Sequence, residues 1–151
     1  MKILRFAAAC TVLCGVLLAL PRGGAAGGDE TYTIVIQKVE VKTTQKNGNS
    51  WDVNDGKPDL RVIIRNTADD SKAYETKEKT DTFAADFNEP TNVKFKKGHT
   101  LEIQVVDVDV AVNDVVGKVN AEMKAEKIQE GKMRLENFDQ VIFLTFEIKK
   151  L

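Results

Sequence analysis

Thiols are nearly missing from this sequence: its only cysteines, Cys10 and Cys14, both lie close to the N-terminus. Everything downstream is without disulfides, a Cys nucleophile or a zinc site of the His/Cys type. Histidine is almost as scarce, since His99 stands alone, in a Lys96-Lys97-Gly98-His99 stretch that reads as a hairpin turn. No glycine-rich phosphate loop and no strand–turn–helix nucleophile elbow is present. An excess of positive charge is lacking too, with 22 basic residues against 23 acidic. That balance argues against nucleic acid, which needs a basic face. Paired carboxylates are what remains for acid–base chemistry, for instance on sugars, but metal binding is their better use, and the expectation is a protein that is not an enzyme.

Residues 1–26 read as a signal peptide rather than as part of the fold. Lys2 and Arg5 make a short basic start, an apolar run follows from Phe6 to Leu20, and Pro21 ends it. Gly23-Gly24-Ala25-Ala26 then offers small residues for cleavage near Ala26. The run is short of the roughly 20 residues a membrane-spanning helix needs. An uncleaved anchor is the alternative, and a lipoprotein, from Ala7-Ala8-Ala9 before Cys10, is a third. The expectation is export to the periplasm, cell surface or extracellular space. Removing Lys2, Arg5 and Arg22 moves the formal net charge from −1 to about −4. The remaining segment, 27–151, has the size of one domain with a sizeable core.

That domain reads as mostly strand. Alternation at period two marks strands near 31–43, 60–65, 101–106, 115–123 and 141–149, with Ile142, Leu144, Phe146 and Ile148 as one apolar face. Weaker candidates are 74–82, 91–95 and 133–135. Residues 121–130 admit a helical turn stopped by Gly131. About eight short strands with little helix predict an all-β, eight-stranded antiparallel sandwich.

Two stretches between strands are crowded with carboxylates. Asp107 and Asp109 are two apart, so both leave one side of the chain, and Asn113-Asp114 follows shortly after. Asp52, Asp55 and Asp59 occupy the connection between the first two strands. Clustered carboxylates repel unless a cation sits among them, and calcium suits an all-oxygen set on flexible loops. Solvated Asp/Asn turns are the plainer alternative. A calcium loop of the EF-hand kind at Asp52–Gly56 lacks the required spacing and the closing Glu.

Three stretches resemble the C2 domain family. Asp55-Gly56-Lys57-Pro58-Asp59-Leu60-Arg61-Val62 resembles its first calcium loop entering the next strand. Phe87-Asn88-Glu89-Pro90, with Val93 and Phe95, resembles the stretch that opens a middle strand. Leu101 to Asp109, then Asn113-Asp114-Val115-Val116-Gly117, resembles the third loop. One strand before the first loop and an extra strand at the end are similar to the type II strand order. Departures are a third loop one residue shorter, Leu60 in place of an aromatic residue and Phe87 in place of tryptophan.

The resemblance implies calcium as cofactor, held by Asp52 or Asp55, with Asp59, Asp107, Asp109 and Asp114. Val108 would offer its carbonyl and Asn113 a minor contact. It further implies calcium-dependent docking of a monomeric module on an anionic phospholipid surface, with the apolar tip Val110, Ala111 and Val112 touching lipid. The alternatives are that these valines pack near Trp51, and that the ion is structural in a sandwich that binds a protein or glycan partner. Lys72, Lys77, Lys79, Lys94, Lys96 and Lys97 form either a basic patch or solvated strand faces.

Overall fold

The computed structural model describes residues 30–52, 56–69, 72–109 and 112–151. Outside them lie the expected signal-peptide segment, 1–26, and the candidate residues Asp55, Val110 and Ala111. The first strand, β1 (Tyr32–Val41), pairs with both β4 (Ala84–Pro90) and β8 (Val141–Lys150), and β7 (Lys132–Phe138) adds to β8. The second sheet runs β3 (Tyr74–Glu75), β2 (Leu60–Asn66), β5 (Thr100–Asp107), β6 (Asp114–Glu122). All pairings within both four-stranded sheets are antiparallel, as the sequence leads one to expect. The last strand lies in the sheet interior, between β1 and β7.

Alternation explains the core. β2 turns Leu60, Val62 and Ile64 inward, β5 turns Leu101, Ile103 and Val105, and β8 turns Leu144, Phe146 and Ile148. Full burial of each such side chain is worth roughly 1.5–3 kcal/mol, so the facing sheets hold each other. A bulge in β1 between Ile36 and Lys38 makes Gln37 the extra residue, which switches the inward set from Ile34 and Ile36 to Val39 and Val41.

Three strand expectations need correction. A second bulge, where Glu40 faces Phe143 and Val41 faces Val141, makes Ile142 the extra residue of β8. Val141 is therefore buried in its place and Ile142 only half-buried. Residues 91–95 contribute a single bridge, from Phe95 to Tyr32, and the true strand is the preceding Ala84–Pro90. Its inward Ala85 and Phe87 alternate with Ala84, Asp86 and Asn88, residues with poor strand propensity that hide the period. The polar candidate 74–82 is a strand only at Tyr74–Glu75, with one further bridge from Lys79 to Leu60. The helical turn is real, as α1 (Ala125–Glu130), stopped by Gly131 in the left-handed conformation at φ 68.

Register brings the acidic stretches together. Leu60 faces Asp107, and Asp107 faces Asp114, so the start of β2, the end of β5 and the start of β6 lie in one row. Beside that row β6 packs tightly on the β7–β8 turn. Gln140 N–H donates to the Val116 carbonyl at 3.0 Å, Lys118 N–H donates to Asp139 Oδ2 at 3.0 Å, and a Cβ on Gly117 would stand 2.8 Å from Val141 Cγ2.

Candidate metal centre

Three connections meet at this end of the sandwich: 42–59 between β1 and β2, 76–83 between β3 and β4, and 108–113 between β5 and β6. Hydrogen bonds tie them to each other. The Asp59 N–H donates to Asp107 Oδ1 at 2.7 Å, and the Val108 N–H donates to the Asp59 carbonyl at 2.9 Å. The Asp81 N–H donates to Asp59 Oδ1 at 2.7 Å, and the Lys57 N–H donates to Asp81 Oδ1 at 3.3 Å. The Thr82 N–H closes the set on the Pro58 carbonyl at 3.0 Å. First and third loops are thus fastened through Asp59, and first and middle loops through Asp59 and Asp81.

Asp107 is the pivot. It is 1% exposed, and its second oxygen, Oδ2, is buried with no hydrogen-bond partner among the described residues. A buried carboxylate oxygen left unpaired costs free energy unless something positive reaches it. Desolvation accordingly pushes the Asp107 carboxyl up to about 6; the Asp59 N–H opposes that rise, and the negative charges of Asp109, Asp52 and Asp59 add to it. Asp109 is also raised, first by desolvation, then by Asp114, Asp52 and Asp59. Asp52, Asp59, Asp107, Asp109 and Asp114 therefore act on one another electrostatically.

Among the described residues no three acidic or imidazole side chains are already arranged to hold a metal ion. The donor chemistry fits calcium all the same: carboxylates on three converging elements, no nitrogen or sulfur donor, and one buried oxygen without a partner. Val108 is half-buried at the root of the third loop, with its N–H committed to Asp59, while Asn113 and Asp114 are exposed at the far side of that loop.

Val112 is 75% exposed, which excludes its packing near Trp51. Trp51 itself is buried, and its Nε1 donates to the Lys42 carbonyl at 2.9 Å. A cleft of about 370 Å³ opens beside it, lined by Gln45, Lys46, Asn47, Asp114, Val115 and Gln140. The lysines do not form one patch. Lys79 pairs with Leu60 near the acidic loops, whereas the Lys94 carbonyl accepts from Asn66 Nδ2 at the far end of β2.

Two residues escape sequence reasoning. Asp81, with φ 48, sits within Thr80-Asp81-Thr82, a run that reads as polar strand, and its place beside Asp59 depends on long-range pairing. Val115 looks like the start of an inward strand face but is 60% exposed next to Asp114. The alternation of β6 only begins to bury side chains at Val116, because the register shifts between Val105 and Val106.

Comparison with known proteins agrees with the fold. The model of the C2 domain family matches residues 33–138. Human GIVD cytosolic phospholipase A2, solved in complex with a methyl gamma-linolenyl fluorophosphonate inhibitor and terbium chloride, is 19% identical with a TM-score of 0.60. The match covers 80% of this chain and 17% of that one. The first of the C2 domains of plant extended synaptotagmin 1 is 17% identical with a TM-score of 0.60, over 82% of this chain and 96% of that one. The calcium-bound tandem C2 domains of extended synaptotagmin 2 are 20% identical with a TM-score of 0.54, over 80% and 45%. This chain spans less than a fifth of the phospholipase, and at such identities the likeness is one of fold. No curated protein matches the sequence.

Proposed function

The chain belongs to the C2 domain family, and from that premise we propose that it is an exported calcium-binding module that docks on anionic phospholipid surfaces when calcium is bound. The observation that carries this reading is the buried, unpartnered Oδ2 of Asp107, set among the charges of Asp52, Asp59 and Asp109. Asp52, Asp59, Asp107, Asp109 and Asp114 would hold the ion, with the Val108 carbonyl and Asn113 completing oxygen coordination. Bound calcium supplies positive charge among carboxylates that otherwise repel one another. Without it the loop end repels an anionic surface. With it the exposed Val112 and Val115 can enter the interface. Burial of two valines is worth a few kcal/mol at most, since each gives roughly 1.5–3. Docking is therefore weak and reversible, and attraction of the loaded site to anionic head groups must add to it. Export rests on the pattern of residues 1–26.

The cleft beside Trp51 favours a second reading, a structural ion with a protein or glycan partner held by Lys46 and the amides of Gln45, Asn47 and Gln140. Sedimentation of residues 27–151 with liposomes containing phosphatidylserine, with calcium and with chelator, separates the two. Calcium-dependent pelleting supports lipid docking. Calcium binding with no pelleting at any anionic lipid content overturns it and leaves the second reading.

A further inference from the structure

The middle loop offers no ligand that the sequence singles out, yet it is bonded to the one carboxylate that fastens the other two loops. Asp59 has its N–H on Asp107 Oδ1 and its own Oδ1 on the Asp81 N–H, at 2.7 Å each. A carboxylate held by one oxygen presents the other in a fixed direction. Asp81 can donate in that direction because its backbone is left-handed, φ 48, a conformation that Asn, Asp and Gly tolerate and β-branched residues do not. Its side chain in turn accepts the Lys57 N–H at 3.3 Å, two residues before Asp59. The backbone is held at the same place by Thr82 N–H on the Pro58 carbonyl at 3.0 Å.

We propose that Asp81 is a positioning residue for the metal centre: through its backbone N–H it orients the Asp59 carboxylate, and so the middle loop sets calcium affinity without coordinating the ion. The proposal rests on the calcium reading above. The independent sign of a ligand at this place is the buried Asp107 oxygen that no described residue satisfies, on the carboxylate that the Asp59 N–H itself binds. Because the N–H does the work, the side chain serves to keep the left-handed turn and to accept the Lys57 N–H. Asp81→Gly and Asp81→Asn preserve the turn, whereas Asp81→Val forces the N–H out of line.

The experiment measures calcium dissociation constants by titration calorimetry on residues 27–151, with circular dichroism confirming the fold of each variant. Asp81→Asn, which keeps both the turn and an acceptor for the Lys57 N–H, binds calcium like the unaltered protein. Asp81→Gly, which keeps only the turn, stays within a few-fold of it, and Asp81→Val binds about 10-fold or more weakly, the scale on which outer-shell partners act. In an Asp59→Asn background the Asp81→Val change adds little, because its route to the ion is already cut. A folded Asp81→Val variant with ordinary affinity, or an effect that adds in full to that of Asp59→Asn, overturns the proposal while leaving the calcium reading intact. An unaltered protein blind to calcium overturns both. Should Asp81→Val fail to fold, amide exchange on the unaltered protein decides: the Asp81 N–H stays protected and its resonance shifts with calcium. Free exchange at that amide overturns the proposal.

Discussion

Two buried polar side chains stand at opposite ends of the β2–β5 pair, roughly 20 Å apart at about 3.3 Å per strand residue, and they are treated differently. Asn66 is 0% exposed and fully partnered. Its Nδ2 faces Asp69 Oδ2 and the Lys94 carbonyl at 2.9 Å and His99 Nδ1 at 3.0 Å, and its Oδ1 accepts the Ala68 N–H at 3.0 Å. Asp107, 1% exposed, has one oxygen on the Asp59 N–H and the other on no partner among the described residues. A chain that satisfies a buried amide so completely at one end leaves a buried carboxylate half-satisfied at the other. The amide end is built to be finished by the protein itself. On the proposed reading, the carboxylate end is finished by a cation that the protein does not supply.

The comparison needs a folded frame, and the most severe test removes it. Leu144→Asp places an unpaired carboxylate between the sheets, where Leu144 is 0% exposed. The cost of several kcal/mol rivals the whole stability of such a domain. It unfolds, with loss of the β signal in circular dichroism. A native spectrum would mean that β8 faces the other way.

Asn66→Ala strikes the finished end. It strands the Ala68 N–H and the Lys94 carbonyl, costing about 2–4 kcal/mol. Urea unfolding shows that loss equally in calcium and in chelator. A loss that calcium relieves would mean that the two ends are not separate.

How much of this contrast is legible in the sequence depends on what each end is made of. The carboxylates are legible because Asp-x-Asp after an alternating strand is a local signal, as in Val105 to Asp109. The frame is legible wherever Val, Ile and Leu alternate, as in β2 and β5. Strand β4 is not, because Ala, Asp and Asn occupy its outward positions and only Ala85 and Phe87 mark the inward ones. Asn66 and Asp81 are hidden for a different reason. Their partners, Lys94 and His99 in one case and Asp59 in the other, are far away in sequence and meet them only after the strands pair. Ile142 misleads because a bulge adds one residue, and period-two reasoning has no way to count it.

A smaller effect follows from pH. In chelator the folded Asp107 carboxyl is raised from 3.8 to about 6, whereas in the unfolded chain it keeps its ordinary value near 3.9. Between those values the folded state binds more protons than the unfolded one. Stability from this group is therefore fully present below about pH 4 and is lost as pH rises to about 6. Asp107→Asn removes that slope. Urea titrations of both proteins at pH 4, 5 and 6.5 in chelator check it, and an unchanged slope in the variant would assign it to another group.

Smallest in stability, though not in function, is the change of Val112 and Val115, both exposed, to Ser. Melting temperature and calcium affinity therefore stay put while liposome binding in calcium falls. A drop in melting temperature with lipid binding unchanged would make these valines packing residues.

The most direct measurement is a pair of thermal melts of residues 27–151, in millimolar calcium and in chelator, beside the same pair for a variant with Asp107 and Asp109 both changed to Asn. Extracellular calcium modules have dissociation constants of about 10⁻⁴ to 10⁻³ M. At 10 mM calcium, a ten- to hundredfold excess over such dissociation constants, binding adds about 1.4 to 2.7 kcal/mol, on the order of 4 to 8 °C for a domain this size. The unaltered protein gains that stability in calcium, gains less in magnesium, and the double variant gains almost nothing. Identical melting temperatures for the unaltered protein in calcium and in chelator would contradict the account.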